Sequence, residues 1–195
     1  MHFARSSLAS LALLLISLLS GCQSTAPKML AQIPEEVGER DWHHVLHERL
    51  PLYGHRNWII VADAAYPASS RDGIETVITG ADQVDVLRTV LRELDQTKHV
   101  RPIIHTDAEL KAVPEQDASG ISAYRERLSD LFNNRPVSTL PHEQMITKVD
   151  QASTSFRVLV LKTNMTIPYT TVFLQLDSAY WTPDAEKRLR DAEQK

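Results

Sequence analysis

The stretch Trp58-Ile59-Ile60-Val61-Ala62 most tightly constrains what this chain can fold into. Its apolar residues follow one another without a break, and Ile59, Ile60 and Val61 are β-branched. No face is left for water, so the segment reads as a strand buried on both sides. Such a strand needs helices above and below it. Residues 82–94 supply the clearest one: Val84, Leu87, Val90, Leu91 and Leu94 recur at helical spacing and form one apolar face. Further helices are expected over 42–50, with Asp41 as N-cap and Pro51 as stop, over 118–133 and over 142–151. Further strands are expected over 75–79, 100–104, 138–140, 156–162 and 170–176. This alternation predicts an α/β fold: a single three-layer α/β/α domain with a mostly parallel sheet. In such sheets sites gather beyond the carboxyl ends of the strands, and Asp63 stands just past one of them.

The beginning of the sequence reads as an export signal. His2 and Arg5 precede an apolar core over residues 8–19, about 12 residues long, where a membrane-spanning helix needs about 20. Leu19-Ser20-Gly21-Cys22 follows and resembles a bacterial lipobox, in which the cysteine is lipidated after cleavage before it. The expected organisation is a signal peptide over 1–21, a lipidated tether over 22–40, an α/β domain over 41–181 and a polar helix or tail over 182–195. Cys22 is the chain's one cysteine, so lipidation accounts for it and no disulfide can form within the chain. Gln23 is not the Asp that favours inner-membrane retention, so the expected location is the cell envelope, on the outer membrane facing the periplasm.

The formal net charge is −4, and removing Arg5 with the signal makes it one unit more negative. A mildly acidic chain lacks the basic surface that nucleic-acid binding requires. Glycine is scarce, no Gly-rich phosphate loop is present, and Ser69-Ser70 has no nucleophile elbow. His43 and His47 lie one helical turn apart, as zinc ligands do, but no third ligand is evident. No cofactor or metal is therefore expected. Acid–base chemistry remains, with His55, Asp63, His142 and Tyr169 as its candidates.

The order of motifs adds a resemblance. Gly54-His55, an apolar strand and then Asp63-Ala64-Ala65-Tyr66-Pro67-Ala68 resemble the amino-terminal signature of the D-ribose pyranase and L-fucose mutarotase (RbsD/FucU) family. His142-Glu143-Gln144 is similar to that family's His-Glu-Gln segment. Residues 158–174 are similar to its closing pattern of strand, turn, Pro-Tyr pair and final strand. The chain departs from the pattern at Thr163-Asn164-Met165, where the family has Thr-Gly-Glu, and at Thr171, which replaces a sugar-contacting Asn. Asn164 is expected to replace the glycine at a positive-φ turn position.

The resemblance implies a cofactor-independent isomerase acting on a monosaccharide. It makes His55 the acid/base and Asp63 its partner or a sugar ligand, with His142, Tyr169 and Thr171 binding substrate. It also implies a ring-shaped homo-oligomer with sites at subunit boundaries. Geometry sets a condition, because eight residues of straight strand span roughly 26 Å, too far for His55 and Asp63 both to touch one sugar. Either the 54–57 segment folds back or two copies share a site, and Tyr169 is then expected to reach a neighbour's His55 and Asp63. The alternative is a non-catalytic envelope lipoprotein that binds a sugar or glycan in the same pocket.

Overall fold

The computed structural model describes residues 41–194. The expected signal peptide, Cys22 and the tether lie outside the described residues, as does Lys195. The sheet is built from β1 (Trp58–Ala62), β2 (Ile74–Ile78), β3 (Val100–Asp107), β4 (Val137–Leu140), β5 (Val158–Lys162) and β6 (Val172–Ser178). The helices are α1 (Trp42–Arg49), α2 (Gln83–Gln96), α3 (Ile121–Phe132), α4 (His142–Ser153) and α5 (Pro183–Glu193).

The strands stand in the order β2-β5-β1-β6-β3-β4. Only β6 runs against the others, pairing antiparallel with β1 and β3. The sheet is thus mixed, with one reversed strand among parallel ones. β1 lies at its centre and is buried along its whole length, as a run without a polar face requires.

The pleat sends alternate residues of the inner strands to opposite faces. Ile59, Val61, Leu159, Leu161, Val172 and Leu174 join the core formed with α1, α2 and α3. Trp58, Ile60, Val158, Val160 and Phe173 join a smaller core that Met145 and Val149 of α4 close. Asp82 caps α2 by accepting from the amides of Val84 and Asp85. The buried face of α2 is Val84, Leu87, Val90, Leu91 and Leu94, the residues set by its periodicity.

Two details depart from expectation. β3 continues past Ile104 through His105, Thr106 and Asp107, all buried although polar. Asn164 is not among the positive-φ residues. Its side-chain amide instead donates to Gly80 O at 2.7 Å and its backbone N–H to Ala81 O at 3.1 Å, tying two loops together. Met165 packs against the larger core. After β6 the chain forms α5 over Pro183–Glu193, capped by Thr182, and this helix buries no residue.

Candidate functional site

All strands except β6 end on the same side of the sheet, and β6 begins there. This reversal brings Thr171, just ahead of β6, beside Asp63, just after β1. The Thr171 hydroxyl donates to Asp63 Oδ2 at 2.8 Å, and Asp63 N–H donates to the same hydroxyl at 3.2 Å. Ala65 N–H donates to Asp63 Oδ1 at 2.8 Å. Thr171 is itself buried, so in this geometry it holds Asp63 in place.

Asp107 closes the same end from β3. Its Oδ2 lies 2.9 Å from Nδ1 of His142, the first residue of α4. Glu109 accepts the His142 backbone N–H at 3.1 and 3.2 Å, supplying the cap that Pro141 cannot. Burial pushes the Asp107 carboxyl above the usual carboxylate range. His142 offsets part of this, while Glu109 and Asp63 push the same way. Asp107 Oδ1 has no hydrogen-bond partner among the described residues. A carboxylate on Nδ1 fixes the tautomer that leaves the other nitrogen, Nε2, free to exchange a proton.

Tyr169 meets the His142 ring edge-on, with centroids 5.6 Å apart. Its backbone is held at φ 60°, in the left-handed region, with Pro168 before it. Glycine or asparagine is the usual occupant there, and a bulky residue costs roughly 1–3 kcal/mol. Two buried side chains over-determine this turn: Gln83 Nε2 and the Tyr124 hydroxyl each donate to Thr170 O at 2.8 Å.

Four of the five candidate side chains, Asp63, His142, Tyr169 and Thr171, are thus gathered at the carboxyl end of one chain. Asp107 belongs with them, although the sequence reading missed it. The available signal was a polar His-Thr-Asp run after an apolar strand.

His55 is elsewhere. It precedes β1, at the opposite end of the sheet, and the five steps from Trp58 to Asp63 alone span roughly 17 Å. The 54–57 segment does not fold back. It makes a turn closed by Asn57 N–H donating to Gly54 O at 3.1 Å, with Arg56 at its third position at φ 78°. Positive φ at that position alone defines a type II turn. Within one chain, therefore, Tyr169 lies with Asp63 and apart from His55, which corrects the expectation that it completes a neighbour's site holding both.

His55 Nδ1 lies 3.3 Å from Asp177 Oδ1, and Arg56 Nε donates to His55 Nε2 at 3.0 Å. Arg101, directly across from Asp177 in the β3–β6 register, donates to Asp177 Oδ2 through Nη2 at 2.8 Å and Nε at 3.2 Å. Burial alone would raise the Asp177 pKa, but Arg101, the Ser178 amide and His55 bring it below the usual range. The other early histidines form surface contacts: His43 with Asp41 at 2.8 Å and His44 with Glu48 at 3.2 Å. No group of three or more potential ligands among the described residues is arranged to hold a metal.

Compared with known proteins, residues 42–177 match the model of the RbsD / FucU transport protein family. No curated protein matches. Among solved structures, RbsD of Bacillus subtilis complexed with D-ribose is 20% identical, covering 68% of this chain and 91% of that one, with a TM-score of 0.49. The fucose mutarotase of Streptococcus pneumoniae in complex with L-fucose is 18% identical, covering 73% and 94%, with a TM-score of 0.45. FucU of Bifidobacterium longum is 15% identical, covering 69% and 94%, with a TM-score of 0.47.

Proposed function

The chain belongs to the RbsD / FucU transport protein family, and from that premise we propose that it is a cofactor-independent mutarotase or pyranase acting on a monosaccharide. The observation that carries the proposal is the Asp107–His142 pair facing Tyr169 beside Asp63 and Thr171. Anomer exchange requires a proton to reach the ring oxygen as the C1–O bond opens, while another leaves the anomeric hydroxyl. A histidine whose Nδ1 rests on a carboxylate can accept and return a proton through Nε2. Asp63, with one oxygen on Thr171 and one on the Ala65 amide, presents its remaining lone pairs to sugar hydroxyls.

His55, the acid/base that the resemblance assigns, enters this scheme only from a second copy. The proposed site is composite: the carboxyl end of one subunit against the His55 turn of its neighbour, in a homo-oligomer. The lipobox-like segment supports a lipid anchor on Cys22 in the bacterial envelope. Replacing Cys22 by Ser should then release the protein from the membrane fraction.

Saturation-transfer NMR on D-ribose and L-fucose tests the catalytic reading. The protein should accelerate anomer exchange, while His55→Ala and Asp63→Asn should each abolish the gain. Mixing these two variants with subunit exchange should restore part of it, since some sites then combine two intact halves. Full activity in His55→Ala would remove His55 from the mechanism.

One observation favours the non-catalytic reading: both ring nitrogens of His55 are engaged, by Asp177 and by Arg56. Sugar binding without any acceleration of exchange would select that alternative.

A further inference from the structure

The family match ends at residue 177, and the chain continues beyond it. The segment leaving β6 turns through Tyr180 and Trp181 into α5, and a cavity of about 600 Å³ opens between this segment and the His55 turn. That volume suits a small organic ligand. We propose that this groove is a binding site for an acidic saccharide, a sugar ring carrying a carboxylate. The proposal requires neither the catalysis above nor a second copy.

Two observations point to this chemistry. The first is an aromatic platform. Trp181 is 43% exposed and Tyr180 77% exposed, although each would gain by burial. Trp181 is not loose: its indole N–H donates to Glu186 Oε2 at 2.8 Å, which fixes the ring plane. A fixed, open indole face receives the C–H face of a pyranose, while hydroxyls at the ring edge meet polar side chains. Asp177 and Glu186, which also line the groove, supply acceptors for them.

The second observation is the charge that remains unmatched. Arg101 is pinned to Asp177, and Arg190 to Glu186 and Glu193. Arg56 has no carboxylate partner among the described residues. It donates to His55 Nε2 and lies 5.8 Å over the Phe156 ring. Its backbone is strained in a position where glycine would fit freely, so the turn itself gives no reason for an arginine. A guanidinium held there matches a carboxylate, which it can bind through paired N–H donors.

The test uses the described domain as it occurs in the full chain, with the indole N–H resonance of Trp181 assigned by its loss in Trp181→Phe. D-glucuronate, D-galacturonate and N-acetylneuraminate are titrated, with D-glucose, D-galactose, N-acetylmannosamine and inorganic phosphate as paired controls. At least one acidic sugar should shift the Trp181 signal saturably and bind at least tenfold more tightly than its neutral counterpart. In Arg56→Gly that preference should vanish, while the melting temperature holds or rises, because glycine relaxes the turn. Absence of a saturable shift with all three acids, equal binding of acidic and neutral sugars, a response that survives in Arg56→Gly, or an equal response to phosphate alone would each overturn the proposal.

Discussion

At the carboxyl end of the sheet, His142 leans on Asp107; at the opposite end, His55 leans on Asp177. The two pairs share residue types but not surroundings. The Asp107 side chain is fully buried, and the His142 ring is its hydrogen-bond partner. Asp177 keeps a quarter of its surface and is held by Arg101. Their carboxyl pKa values consequently move in opposite directions, up at Asp107 and down at Asp177. A carboxylate that burial makes reluctant to ionise, next to an imidazole, suits proton exchange. One neutralised by a guanidinium suits holding a partner in place. Position in the sheet thus separates the surroundings of two Asp–His pairs that composition cannot tell apart.

The largest expected effect is on catalysis. His142→Ala should reduce anomer exchange by about 10²–10⁴-fold, the range for a lost general acid/base. Asp177→Asn should reduce it far less, because His55 would keep its turn. Equal losses would erase the distinction between the ends.

Next comes the pH dependence of stability. His105, on β3, is buried against Trp58, and neither ring nitrogen has a partner at hydrogen-bond geometry. Burial and then Lys148 lower its pKa, with Gln175 opposing them. The unfolded chain therefore binds this proton first, and stability should fall as pH drops below about 6.5, with a slope of up to about 1.4 kcal/mol per pH unit from this group. Denaturant midpoints for His105→Phe between pH 7 and 5 should show a flatter profile than the parent.

Asp107 has the opposite sign. With its folded pKa raised, the folded state binds the proton more readily, and the parent loses stability as pH rises from about 4 through that raised value. Asp107→Asn removes this loss. Its stability relative to the parent should therefore improve with rising pH, while its anomer-exchange rate falls. If the relative stability instead worsened, Asp107 would be a structural ion pair like Asp177.

The smallest effect compares the two strained turns. Arg56→Gly should stabilise the fold by about 1 kcal/mol, seen as a melting point roughly 2–4 °C higher. Tyr169→Gly should gain less, since Tyr169 also packs on His142.

Much of this molecule was legible in sequence. An apolar run without a polar face placed β1 at the centre, and the spacing of Val84, Leu87 and Leu91 defined the buried side of α2. Asp63, His142, Tyr169 and Thr171 could be nominated because their motifs are local. Asp107 could not, because its importance arises from a meeting between the end of β3 and the start of α4. Polar residues inside β3 also broke the pattern by which a strand is recognised, so the reading stopped at Ile104. Strand direction leaves no trace in periodicity either, yet the reversal of β6 is what sets Thr171 against Asp63. The eight-residue gap between His55 and Asp63 was the more informative signal, since it required either a fold-back or a second copy.

That reversed strand has an evolutionary consequence. β6 begins beside Thr171, which holds Asp63, and carries Asp177, which orients His55, near its far end. Side chains along a strand alternate, so one codon inserted between Val172 and Leu176 would turn Asp177 away from both Arg101 and His55. Any descendant that changes the length of β6 must rebuild one end of the molecule to keep the other.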